Sequence, residues 1–149
     1  MKPVVGACIG WLLMALSGCS SGPTDRPDNA GALSAIRSGG GGREVVVEGT
    51  VTRVESPRRG PSGVHERFLI ALSENSAGKD ARPAPDAVSV LIADNVSIAE
   101  PAPVRVGDDV VVKGVLALDP AGPVIHWTHR DPRFHHVAGY VELRGRVYD

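Results

Sequence analysis

Valine at every second residue constrains this chain more than any other feature. Glu44–Val54 places Val45, Val47 and Val51 on one face and Glu48, Thr50 and Thr52 on the other. A strand satisfies that period of two, whereas a helix would scatter the valines around its circumference. Aromatic residues make up only 4% of the chain, so the core must be built from valine, leucine, isoleucine and alanine. A β-branched core of that kind favours strands.

The same pattern recurs. Glu66–Ser73 aligns Phe68, Ile70 and Leu72; Ala87–Ala93 reads as a third strand; Asp109–Leu118 directs Val110, Val112, Leu116 and Leu118 inward and Lys113 outward. Val124–His129 is the fifth strand, and Tyr140–Leu143 with Arg146–Tyr148 forms a short closing hairpin about Arg144-Gly145. Loops are expected at Ser56–Val64 and Glu74–Asp86, an irregular stretch at Asp94–Val104 with Asp94 as N-cap, and a turn at Asp119–Pro123. Gly49, in mid-strand, marks a bend or bulge. Five short strands, a bent first strand and a Gly107-Asp108 turn predict an all-β domain, a small OB-like five-stranded barrel with a C-terminal hairpin. A β-sandwich is the alternative, and the absence of βαβ alternation argues against a Rossmann-type domain.

Residues 1–18 read as a processing signal: Lys2, an apolar run from Val4 to Leu16, then Leu16-Ser17-Gly18-Cys19. The last four residues resemble the lipobox of bacterial lipoproteins, in which the cysteine is acylated and the chain is cut before it. An apolar run of about 13 residues is too short for the roughly 20 that span a bilayer. Cys8 would leave with the signal and Cys19 would carry lipid, so the mature chain would have no thiol for a disulfide or thiolate site. Ser20 after the cysteine implies, by the same resemblance, the outer membrane facing the periplasm. Residues 19–42, rich in Ser, Gly and Pro and ending in four glycines, are expected to be a flexible tether, with a weak helical tendency at Ala30–Arg37. The folded domain is expected over residues 43–149.

Four of the five histidines lie in Ile125-His126-Trp127-Thr128-His129-Arg130-Asp131-Pro132-Arg133-Phe134-His135-His136. Strand alternation would turn Ile125 and Trp127 to the core and leave His126 and Thr128 outside. Asp131-Pro132 imposes a turn that can bring His135 or His136 back towards His126 or His129. His126, His129 and His136 are therefore candidate metal ligands, with zinc, copper or nickel the ions that imidazole suits. The spacing matches no structural zinc pattern. Hydrogen-bonded surface histidines and a metal-free acid–base site remain open alternatives.

A second group, His65-Glu66-Arg67, follows Arg58 and Arg59, and with Arg53 these arginines form a candidate anion-binding edge. His65, Glu66, Arg67 and Asp131 are the candidate catalytic groups. Arg67, Asn95, His126, Thr128 and His129 are the candidate ligand contacts. A net charge of −1 gives no global field for nucleic acid or anionic lipid. The Arg edge also lacks stacking aromatics, so nucleic acid is an improbable partner.

His65-Glu66-Arg67-Phe68, Ala93-Asp94-Asn95, Gly107-Asp108, Ile125-His126-Trp127-Thr128-His129, Asp131-Pro132, His136 and Gly139-Tyr140 together resemble a bacterial family of small secreted proteins catalogued as a domain of unknown function. The resemblance runs from about His65 to Tyr148 and implies an OB-like domain with a characteristic histidine segment. It also implies a histidine where Arg130 stands, and often one where Asp94 stands. It supplies no activity. Two functions are therefore expected in order: a lipid-anchored, monomeric binding or accessory module for a small ligand or an envelope protein, then a metal-dependent hydrolase, nuclease included.

Overall fold

A computed structural model describes residues 25–74 and 84–149. The signal, Cys19 and the first part of the expected tether lie outside these described residues, as does most of the Glu74–Asp86 loop. The elements in order are α1 (Asn29–Ser38), β1 (Arg43–Gly60), β2 (Gly63–Leu72), β3 (Val88–Asn95), β4 (Asp109–Asp119), β5 (Gly122–His126), β6 (Tyr140–Leu143) and β7 (Arg146–Tyr148).

The seven strands form one mixed sheet, and five of them close a ring in the order β1-β2-β3-β5-β4, with β4 pairing back to β1. The all-β, OB-like reading holds in this ring and in the terminal hairpin. Among the described residues only the β3–β5 pair is parallel. β1 serves two partners because it bends where Gly49 stands: Arg43–Thr50 pairs with β4 and Thr50–Gly60 with β2. The inward faces of the ring supply Val47, Val51, Phe68, Ile70, Val90, Ile92, Val110, Val112, Leu116 and Ile125, each at most 1% exposed. Burying a side chain of this size contributes about 1.5–3 kcal/mol.

Three expected boundaries move. The Ser56–Val64 loop contracts to a turn at Pro61-Ser62, because β1 and β2 pair out to Gly60 and Gly63. Leu118, at the fraying end of β4, is exposed rather than inward. The tether assignment fails over the described residues 25–42: α1 buries Ala32, Leu33 and Ala35 in the core. The sequence showed only a weak helical tendency at Ala30–Arg37 because the apolar face is a few residues wide, yet the helix's attachments are specific. Asp28 caps its first turn through the Gly31 N–H at 2.9 Å. Asn29 donates to Glu48 O and Ser73 O at 2.9 and 2.8 Å and accepts the Glu48 N–H. Gly39 ends the helix in the left-handed conformation, and Lys113 binds Asp25 at 2.9 Å. Helix and tie thus sit at the Leu72 end of β2, leaving the His65 end for another purpose.

Candidate functional site

β4 keeps β1 along one edge and divides its other edge between two strands. Val110–Lys113 pairs with β6 and Val115–Asp119 with β5. The histidine segment is the excursion between those two strands, leaving the sheet after His126 and rejoining it at Tyr140. Gly114 lies at the switch between partners, where an added Cβ would come within 2.5 Å of His126 O and 3.0 Å of Thr128 Cγ2. On the return, a Cβ at Gly139 would collide with Trp127 O and meet Lys113 O at 2.6 Å. Backbone passes this close only where side chains are missing.

That crowding ends β5 at His126, three residues earlier than alternation predicts, and reverses the expected facing. Trp127 has φ 55° and is 43% exposed, whereas Thr128 is wholly buried and His129 is 5% exposed. A bulky residue in the left-handed region costs about 1–3 kcal/mol and persists only where its surroundings impose it. Ile125 faces the core as expected, at 1% exposed, but Trp127 does not.

The outward tryptophan stands in a histidine wall. His136 stacks on it at 4.8 Å with 10° between planes, and the His126 ring lies tilted against it at 4.7 Å. His129 meets the His136 ring edge-on at 4.9 Å. His65 arrives from the start of β2, opposite Asn95 of β3, with Ser62 Oγ 3.3 Å from its Nε2. One cavity of about 590 Å³ is lined by His65, His126, His129, His135 and His136, together with Trp127. Those are all five histidines of the chain.

The ring nitrogens divide their duties. Nδ1 of His129 lies 2.7 Å from Arg130 O, and Nδ1 of His136 lies 2.8 Å from Val137 O. A carbonyl only accepts, so both Nδ1 atoms carry the proton and Nε2 is left as the ring's other nitrogen for chemistry. Burial holds His126 below its usual pKa; Asp119 opposes that, and His136 and His65 add to it. Burial thus favours the neutral imidazole of His126.

Asp131 is committed to its own loop. Its carboxylate accepts backbone N–H groups of Arg133 and His136 at 2.8 Å each, and that of His135 as well. Desolvation acts upward on its pKa, but these three donors prevail and hold it below the usual carboxylate value. Asn95 is likewise structural at both ends of its amide, donating to Ser62 O at 2.9 Å and accepting the Ser97 N–H at 3.1 Å. It also begins the turn that Asp94 was expected to cap, through its carbonyl and the Ile98 and Ala99 N–H groups.

Asp94 instead points into the ring and is wholly buried. Its Oδ1 accepts the Thr128 hydroxyl at 2.8 Å, and its Oδ2 has no hydrogen-bond partner. Glu66 pairs with it across β2 and β3, facing the same way as Phe68 and Ile70, and accepts the Ala102 N–H at 3.2 Å. Burial first, and the neighbouring Asp94 second, raise Glu66 from 4.5 to about 7. Burial raises Asp94 from 3.8 to about 6, against the opposing pull of Thr128, His129, the Asn95 backbone and His65.

The structure thus gathers His65, Asn95, His126, His129, Asp131 and His136 at one cavity. It separates Glu66, which faces the interior, and Arg67, which binds Glu55 at 3.3 Å and opens onto an adjoining smaller cavity. Thr128 contacts Asp94 rather than the outer surface. Among the described residues no group of three or more His, Cys, Asp or Glu side chains is arranged to hold a metal ion. Sequence reasoning overlooked Trp127 as a surface group and Asp94 as a buried acid. The paired glycines, Gly114 and Gly139, were the available signal for Trp127, since close backbone approach predicts a break in alternation.

No curated protein matches the chain. Over residues 35–149 it matches the family model described as protein of unknown function, DUF3465, and the protein belongs to that family.

Proposed function

We propose that this protein is an envelope lipoprotein whose β domain is a binding module for a small ring-bearing ligand, taken up in the five-histidine cavity. The observation that supports this reading is the outward, left-handed Trp127 with His136 stacked on it inside that cavity. Backbone strain spent on exposing an aromatic face is the kind found at ligand sites. A concave wall of apolar faces carrying a few fixed ring nitrogens matches what small-molecule sites require. Cys19 is the proposed point of lipid attachment, which would hold the module at the outer membrane facing the periplasm.

The test is a nuclear magnetic resonance titration with benzoate, tryptophan, N-acetylglucosamine and adenosine monophosphate. The Trp127 indole and the His136 ring serve as reporters. At least one probe is expected to shift both signals, and Trp127→Ala is expected to abolish the response at His136. Silence from all four probes would refute the reading.

A second reading adds an ion to the same wall, because His129 and His136 stand side by side with Nε2 not engaged by their backbone partners. It predicts about one zinc, copper or nickel per purified chain and a lower melting temperature after chelation. A metal-free preparation that shows no change in melting temperature on adding zinc retires it, and with it the hydrolase.

A further inference from the structure

The histidine cavity does not end at His65. A second cavity of about 240 Å³ shares His65 and Ala93 with it and continues over the outer face of β2, β3 and β5. Its wall includes Arg58, Arg59 and Arg67 with a single carboxylate, Asp119. Arg67 is engaged by Glu55. Arg58 and Arg59 are exposed, and among the described residues neither has an acidic partner within salt-bridge distance.

The placement of these two arginines is built rather than incidental. The β1–β2 register slips between Glu55 and Arg58, so the pairs run Glu55↔Arg67 and then Arg58↔His65. The extra residue is accommodated at Ser56-Pro57, and proline, which has no N–H to give a ladder, is suited to such a bulge. The bulge thereby sets Arg58 opposite His65, a residue that both cavities share, and Arg59 also lines the smaller one. Arginines carried on two strands, Arg58 and Arg59 on β1 and Arg67 on β2, can offer donors to one anion from different directions. That suits a tetrahedral oxyanion better than a planar carboxylate, which a single Arg fork already satisfies.

We propose that Arg58, Arg59 and Arg67 form a phosphoryl-binding subsite continuous with the histidine cavity, so that the ligand is a ring-bearing molecule carrying a phosphate group. The description of the ligand rests on the reading of the histidine cavity given above, whereas the subsite itself stands on the arginines alone. Phosphate of this kind can come from a soluble ester or from a lipid headgroup, and the two sources are separable by experiment.

The probe is pyrophosphate, titrated into the full chain by calorimetry and followed at the arginine Nε–H resonances. Binding is expected to shift Arg58 and Arg59 and to weaken as salt is added, since these side chains are solvent-exposed. Arg58→Gln with Arg59→Gln should weaken it by about tenfold or more, the equivalent of one charge-assisted hydrogen bond. Arg37→Gln, a charge change on the distant α1, should leave it unaltered. Co-sedimentation with phosphatidylcholine vesicles, with and without phosphatidic acid, identifies the source. Retention only with phosphatidic acid indicates a headgroup, and pyrophosphate binding without retention indicates a soluble ester. No pyrophosphate binding, or equal loss in Arg37→Gln, overturns the subsite. If pyrophosphate fails while ring probes still shift Trp127, the subsite falls and the histidine cavity stands. The opposite result removes the ring-binding reading and spares the subsite.

Discussion

Replacing Asp94 by asparagine should change how the stability of this protein depends on pH. Asp94 is wholly buried, so solvent screening does not reduce its effect. A carboxyl whose pKa is raised from 3.8 to about 6 on folding binds its proton more tightly in the native state than in the unfolded one. Its contribution is therefore fully present below pH 3.8, declines as pH rises and is gone above about 6. The full swing is about 3 kcal/mol. The substituted amide would keep an oxygen to accept the Thr128 hydroxyl but would have no proton to lose in that window. Its NH₂ group would take the place of an oxygen that already lacks a partner, which adds a constant offset of about 1–3 kcal/mol and leaves the slope untouched. Glu66 titrates near 7, raised first by burial and then by Asp94, so the parent falls further at higher pH. Urea unfolding of parent and Asp94→Asn at matched pH values yields a difference curve. The variant should gain on the parent by about 3 kcal/mol between the acid end and neutrality. A flat difference curve would refute the buried, ionising Asp94.

Leu33→Ala, in the helix that composition disguised as tether, should cost about 2–5 kcal/mol in urea unfolding; a loose tether would show no change. Cys19→Ser should leave an uncleaved precursor that no longer partitions with the outer membrane. Normal processing of that variant would remove the lipoprotein reading.

The ring was legible because its strands obey one local rule. Val45 and Val47, or Phe68, Ile70 and Leu72, announce an inward face without reference to any partner. The terminal hairpin was legible to the residue, since Arg144-Gly145 is a turn by composition alone and Arg144 and Gly145 both adopt positive φ. The same local rule failed at Trp127, where Gly114 on β4 and Gly139 on the returning chain force the backbone out of alternation. Those causes are distant in sequence from the residue they reorient. α1 was legible only as a weak helical tendency at Ala30–Arg37 because the Asp28 and Asn29 side chains, more than its apolar stripe, cap it and fix it to β1 and β2. Asp94 looked like a cap because caps and buried acids use the same side chain, and only the neighbouring β2 shows which is meant.

The parallel contact between β3 and β5 rests on only three residue pairs, Leu91↔Val124, Ile92↔Ile125 and Ala93↔His126. It joins strands with all of β4 between them in the chain. Closing such a seam has to wait for distant segments to meet, which slows folding in chains dominated by non-local contacts. His126 is part of that seam, while His65 belongs to a hairpin that can form locally. The cavity between them therefore needs this contact as well as the hairpin, since β1, β2 and β3 alone carry the arginines but not the histidine wall. A ligand gripping both sides would act as a clasp across the seam, slowing its opening and so the exchange of the amide protons along β5.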